Sequence, residues 1–304
     1  MSEISRVIYN IERKVAMNKK LYFIFIFILL LSIIGCSKSA TTTIKKMDLV
    51  TPSVAIKPAR NSLISSFDKN YVFKPYGKSV PVLMYHSITY EKGNPICLPI
   101  KKFKEQMKYL KDNGYYTITL INLYEYLMNN TPIPEKSVVL TFDDGYENNY
   151  TDMFPVLKKY NFKATVFDIT CDIDKYHKFM TSKQLLEMEK YSVDIESHTV
   201  NHENLQMISK DKQLKTLIQS KKDLGELLSK QINFFAYPYG GYNKSAIEAV
   251  KEAGYKMAFT TKGGWASKND GILSLNRVFV SPSDNMKVFK IKITNPNYEF
   301  LDKL

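Results

Sequence analysis

Cysteine is scarce: 3 in 304 residues cannot build a disulfide framework, so a buried core must hold this chain together. Glycine and proline, 12 of each, are too few for collagen or a low-complexity scaffold. Tryptophan occurs once and histidine four times, so imidazole chemistry can draw only on His86, His177, His198 and His202. There is no second long apolar run, which excludes a polytopic transporter. Acidic residues are also short. With 43 Lys+Arg against 30 Asp+Glu the net charge is +13, which serves solubility or attraction to an anionic envelope equally well. No basic stretch is interleaved with aromatics, so nothing points to nucleic acid. What is present is ordinary. Hydrophobic residues make up 44% and charged ones 24%, as in a globular protein of one large or two modest domains.

The one apolar run, Leu21 to Ile34, follows Lys19 and Lys20. It is shorter than the roughly 20 residues of a spanning helix and fits the about 7–15 of a signal-peptide core. It ends in Ile33-Ile34-Gly35-Cys36, which resembles the lipobox of bacterial lipoprotein signals. The resemblance implies cleavage before Cys36 and acylation of its thiol; a plain amino-terminal anchor helix is the alternative. Either places the remainder outside the cytoplasm, tethered to a membrane. Met17-Asn18-Lys19-Lys20 reads as the natural start of such a signal, with residues 1–16 an upstream extension. Residues 36–78 are rich in Ser, Thr, Lys and isolated Pro without a sustained period, and read as a tether. The body is then 79–304.

From Val80 short apolar runs recur: Val80–Tyr85, Tyr115–Leu120, Ser137–Phe142, Ala164–Ile169, Val193–Ile195, Asn233–Tyr237, Tyr255–Thr260 and Arg277–Val280. Helical periods separate most of them: Phe103, Met107 and Leu110; Met153, Val156 and Leu157; Leu214, Leu217, Ile218, Leu224, Leu227 and Leu228; and Ile247, Val250 and Ala253 after Asn243, a plausible N-cap. Runs such as Val138-Val139-Leu140 are apolar on both faces, the signature of a parallel strand covered on both sides. The alternation predicts an α/β architecture. Its strand count favours a closed or nearly closed barrel of about seven parallel strands.

In such barrels chemistry gathers at the C-terminal strand ends. Here one run ends at His86, another at Asp143-Asp144-Gly145, a third leads into Glu196-Ser197-His198 and His202, and a fourth ends in Pro238-Tyr239-Gly240. Four such endings predict convergence on one site. His198 and His202, four apart, would face one way on a helical turn and share a cation. A carboxylate from the Asp143-Asp144 pair would complete a two-His, one-carboxylate set and leave the other acid free; a solvated Asp-Asp-Gly turn is the alternative.

Thr141-Phe142-Asp143-Asp144-Gly145, Ser197-His198-Thr199-Val200-Asn201-His202 and Tyr237-Pro238-Tyr239-Gly240, in this order, resemble the motifs of the polysaccharide deacetylases, the NodB-homology domain of carbohydrate esterase family four. The resemblance covers about Val80 to Val280. It implies a distorted (β/α) barrel and metal-dependent removal of acetyl groups from glycans. It also implies Asp144, His198 and His202 as ligands of a divalent metal, usually zinc, Asp143 as general base, and the Tyr239 backbone N–H as an oxyanion donor.

Two departures stand out. Many relatives carry Arg where this chain has Ala236, and many place a catalytic His late in the chain, whereas none follows His202. Val80-Pro81-Val82-Leu83-Met84-Tyr85-His86 resembles the start of the subgroup containing poly-N-acetylglucosamine deacetylases of biofilm adhesins, in which an early His is the acid; this implies His86. Arg277 is a candidate for the missing Arg, a structurally paired arginine being the alternative. Trp265, after Gly263-Gly264, is expected in a loop over the site, where its face would suit a sugar ring; a core position is the alternative. Tyr237 is a further candidate for a glycan groove. Cys97 and Cys171 read as buried thiols rather than a disulfide. The expected partners are an N-acetylated glycan and a membrane reached through the lipid anchor, with a monomeric chain. The competing readings are a peptidoglycan deacetylase, a non-catalytic glycan-binding lipoprotein, and a non-haem iron oxygenase sharing the ligand type.

Overall fold

A computed structural model describes residues 72–298. The expected signal, Cys36 and all but the end of the expected tether lie outside the described residues. At Val72 the chain is already part of the body: Phe73 bridges Pro134, and the Tyr126 hydroxyl donates to the carbonyls of Pro75 and Lys78. Among the described residues no helix is long and apolar enough to cross a membrane.

The strands are β1 (Val82–Tyr85), β2 (Tyr116–Thr117), β3 (Ser137–Asp144), β4 (Ala164–Asp168), β5 (Val193–Ser197), β6 (Phe234–Ala236), β7 (Met257–Gly263) and β8 (Leu275–Phe279). All pairings between them are parallel. Seven close a ring, because β1 pairs with β3 on one side and β8 on the other; β2 extends the lower edge of β3. The helices are α1 (Ile100–Asp112), α2 (Leu120–Asn129), α3 (Phe154–Tyr160), α4 (Ser182–Glu189), α5 (Lys210–Leu228), α6 (Lys244–Glu252) and α7 (Met286–Thr294). The periodicity pointed to α1, α3, α5 and α6. It did not reveal the other three, each of which starts at a side-chain cap: Thr119 with Asn122, Thr181 with Gln184, and Asn285.

Alternation along the strands divides the core in two. Val139, Phe167, Phe234, Ala236, Met257, Phe259 and Leu275 fill one cluster. Val138, Leu140, Phe142, Val166, Ile195 and Phe235 pack in the other with helical residues such as Met107, Leu157, Leu217 and Val250. This double burial is why the strands read as near-continuous apolar runs. The weakest seam is β5–β6, where one register pair, Ser197 with Phe235, joins the strands. There Glu196 substitutes for a ladder: its buried Oε2 accepts from the N–H groups of Asn233 at 2.8 Å and Phe234 at 2.7 Å.

Candidate active site

Strand β3 carries both aspartates, two residues further than its apolar run. The period of two then separates their carboxylates. Asp143 meets Arg277 from β8 in a two-pronged pair, with Nη1 donating to Oδ1 at 2.7 Å and Nη2 to Oδ2 at 2.6 Å. Both residues are buried, and Arg277 also donates from Nε to the Thr260 carbonyl at 2.9 Å and from Nη1 to Thr141 Oγ1 at 3.2 Å. Burial alone would push the Asp143 carboxyl up, but the guanidinium outweighs it and holds the group below its ordinary value.

Asp144 turns the other way, with a backbone φ of 76°. Its Oδ1 lies 3.4 Å from His198 Nε2 and 3.2 Å from His202 Nε2. One ligand atom from each of the three residues falls within 4.8 Å of the others. The His198 Nδ1–H donates to the Ala236 carbonyl at 2.8 Å, which fixes the tautomer and leaves Nε2 as a lone pair. Asp144 Oδ1 is buried with no hydrogen-bond partner among the described residues. Three potential electron-pair donors converging on one point, an otherwise unpartnered buried carboxylate oxygen among them, fit a divalent cation.

The histidines are not on a helical turn, as their spacing had led us to expect. They sit on a loop in which Thr199 (φ 69°) and His202 (φ 57°) adopt left-handed backbone. Glu203 and Thr216 hold that loop: Glu203 Oε2 accepts from the Asn201 N–H and from Thr216 Oγ1, both at 3.0 Å, and Thr216 Oγ1 accepts from the Val200 N–H at 3.0 Å. With Asp144 and Tyr239 (φ 58°), four non-glycine residues in left-handed backbone gather in this one region. Such strain marks sites whose surroundings over-determine the backbone.

Gly145 is required by its φ of +76° and by crowding, since a Cβ there would meet the Asp168 carboxylate at 2.5 Å. Gly240 matters for the same reason, with Thr261 Oγ1 at 2.0 Å from a built Cβ. That close approach seats Tyr239 on the rim. Its side chain is 66% exposed, and its ring centroid lies 4.4 Å from that of His202.

His86 follows β1, with Nε2 3.9 Å from Asp143 Oδ2. Burial lowers its pKa below the ordinary imidazole value, although Asp143 and Asp144 oppose the shift. Asp143, Asp144, His86, His198, His202, Arg277 and Tyr239 are therefore linked in one cluster.

Two residues chosen from sequence are not part of it. Tyr237 is fully buried, its hydroxyl donating to the Leu273 carbonyl at 3.0 Å. It faces the helical layer because it falls on the Phe235 side of the alternation, so it cannot touch a glycan. Trp265 is drawn away by the antiparallel bridge of Ala266 to Val80. Its indole N–H donates to the Lys292 carbonyl on α7 at 2.8 Å, and Lys74 Nζ lies 5.7 Å from its ring centroid. His177 stands in an exposed loop, and Cys97 and Cys171 are free thiols. Sequence reasoning missed Glu203 and Asn148, whose side chains hold site loops without any motif to announce them.

Comparison with known proteins agrees with this geometry. The family model described as Polysaccharide deacetylase matches residues 130–258. YxkH of Bacillus subtilis, placed by its own name among the polysaccharide deacetylases, is 40% identical over 210 residues, 69% of this chain and 74% of that protein. A poly-beta-1,6-N-acetyl-D-glucosamine N-deacetylase of Staphylococcus aureus is 31% identical over 193 residues, 59% of this chain and 66% of that one. The structure of the Streptococcus pyogenes deacetylase PplD in complex with acetate superposes with a TM-score of 0.69 at 33% identity, covering 71% of this chain and 99% of that chain. The ring of parallel strands is thus the distorted barrel of the NodB type, and the chain belongs to the polysaccharide deacetylases, hydrolases that release acetate from N-acetylated glycans.

Proposed function

We propose that the protein is a metal-dependent deacetylase of a poly-N-acetylglucosamine-like cell-surface polysaccharide. One observation carries the reading: Asp143, clamped by Arg277, lies beside but apart from the Asp144–His198–His202 ligand set. One acid holds a cation and its neighbour is left to move a proton.

A divalent cation held by Asp144, His198 and His202, zinc in our reading, would polarise the acetamide carbonyl and acidify a water. Asp143 accepts the proton of the attacking water, its orientation set by the two-pronged Arg277 pair. Arg277 thereby takes the part of the arginine that Ala236 displaces. The Tyr239 N–H donates to the developing oxyanion, and the exposed Tyr239 ring offers a face to the sugar. His86 protonates the departing amine. Acetate and a free amino sugar result. The likeness to the Staphylococcus aureus enzyme supports the substrate class.

Acetate release from poly-N-acetylglucosamine, chitooligosaccharides, peptidoglycan and acetylxylan, with chelator and zinc add-back, tests the reading. Preferential release from the first, lost with chelator and regained with zinc, is expected. Preference for peptidoglycan would move the substrate, and indifference to chelator would dismiss the metal.

We infer further that the chain is lipid-anchored through Cys36 on the outer face of the membrane, where such a glycan lies. The lipobox resemblance supports this. Cys36→Ala should lose fatty-acid labelling and shift the protein from the membrane fraction; unchanged labelling would reject the anchor.

A further inference from the structure

Catalytic histidines are ordinarily oriented through their second ring nitrogen, by a carboxylate or a carbonyl. His198 follows that rule through Ala236. His86 does not. Its Nδ1 is buried and takes no hydrogen-bond partner among the described residues, so no bond to the second nitrogen orients the ring and the placement of its backbone matters more.

That backbone is pinned from an unexpected quarter. Asn148 lies four residues beyond Asp144, just before the π-helical turn Asn149–Met153 that leads into α3. Its Oδ1 accepts from the Ile88 N–H at 2.8 Å, and its Nδ2 donates to Ser87 Oγ at 2.7 Å. Ser87 and Ile88 are both buried. On the other side, Ser87 is held by its own loop: its N–H donates to the Ile96 carbonyl at 3.2 Å and its carbonyl accepts from the Leu98 N–H at 2.9 Å. The two residues after His86 are therefore clamped between their own loop and the loop that leaves the Asp143-Asp144 pair.

We propose that Asn148 is a positioning residue for His86, setting the distance between proton donor and proton acceptor by fastening the end of β1 to the segment following β3. This rests on the assignment of His86 as the acid. The β1–β3 ladder, which ends at the pair Tyr85 with Phe142, brings the acid beside the base, and the Asn148 clamp fastens the residues just after His86 so that its Nε2 is held 3.9 Å from Asp143 Oδ2. A misplacement on the order of 1 Å can cost about 10²-fold in rate.

The test compares two leaving groups in the full-length protein. An N-acetylglucosamine oligomer needs its amine protonated, whereas 4-nitrophenyl acetate expels a stabilised phenolate that does not. Asn148→Ala should lower kcat on the amide about 10–100-fold, with KM, zinc content and the rate on the aryl ester held. Ser87→Ala, which removes one of the two bonds, should show the same split to a smaller degree, and carries the test if Asn148→Ala misfolds. Asn148→Asp, which still accepts from Ile88 and can accept from the Ser87 hydroxyl, should restore most of the amide rate. Adding Asn148→Ala to His86→Ala should cost nothing more. Equal losses on amide and ester, an unchanged amide kcat, or additive losses in the double variant would overturn the proposal. Full amide turnover by His86→Ala alone would instead overturn the acid assignment, and is read on that variant independently of Asn148.

Discussion

Strand β5 runs between two charge clusters, one around buried Glu196 and one around buried Asp144, that solve one electrostatic problem in different ways. Toward its start, three carboxylates close on a cation the chain supplies. Lys230 Nζ lies 2.5 Å from Glu189 Oε1 and 3.9 Å from Glu196 Oε1, and it donates to Asp194 as well. Beyond its end, Asp144, His198 and His202 converge as well, but among the described residues no lysine or arginine is ion-paired with Asp144. Desolvated acids need a positive partner in both places. A tethered ammonium makes the first cluster part of the fold. A ligand set without one would, on the metal-dependent reading proposed above, take its cation from solution, and that cation would be exchangeable and open to substrate.

The contrast predicts that the two clusters fail differently. His198→Ala should lower kcat/KM for acetate release at least about 10²–10³-fold, as loss of a key transition-state contact does. Its melting temperature in chelator should stay near that of the parent; a large fall there would mean the ligand set also holds the fold. Arg277→Ala falls between the two cases. It leaves Asp143 buried without a counter-charge, which should cost about 3–5 kcal/mol in urea unfolding as well as activity. Lys230→Met should destabilise by about 1–3 kcal/mol, since the site is partly solvated, with kcat per folded molecule unchanged. A matching fall in kcat would erase the distinction.

Stability against pH sharpens the comparison. Burial, with Asp194 beside it, raises the Glu196 carboxyl well above its ordinary value of 4.5. The folded state then binds more protons than the unfolded one, so this contribution is complete below about 4.5 and is lost as pH rises through the folded value. For Asp143 the sign reverses. Its folded value lies below 3.8, so its contribution is present above that point and is lost as pH falls through the folded value. Glu196→Gln should flatten the urea-midpoint curve on the rising side, and Asp143→Asn should flatten it at the acid end. The same slope in parent and variant would refute the assignment for that residue. The smallest effect belongs to Trp265→Phe, which should leave kcat/KM within about twofold and lower the melting temperature by a few degrees through the lost bond to α7. A tenfold loss of activity would bring the indole back to the site.

Much of this was legible from residues alone, for identifiable reasons. All eight strands coincide with short apolar runs, because burial on both faces leaves a mark that needs no tertiary knowledge. The polar strand endings named the residues that the ring gathers, since such groups are costly to bury without a shared purpose. Arg277 could be singled out because it is the only arginine beyond Arg60. Tyr237 and Trp265 went the other way. An aromatic next to a motif looks the same whether it faces solvent or core, and only the strand alternation or the Val80–Ala266 bridge decides which.

By itself, the order of residues determined the parallel α/β plan, the family motifs and the chemical identities of the donors, because these depend on periodicity and side-chain type along a line. Ring closure through β1–β3, the division of two adjacent aspartates between a guanidinium and two imidazoles, and the left-handed loop that turns His202 toward Asp144 belonged to the tertiary structure. Each joins segments tens of residues apart. Local propensity is silent on such contacts, which form only where packing fixes distances that the chain's covalent geometry leaves free.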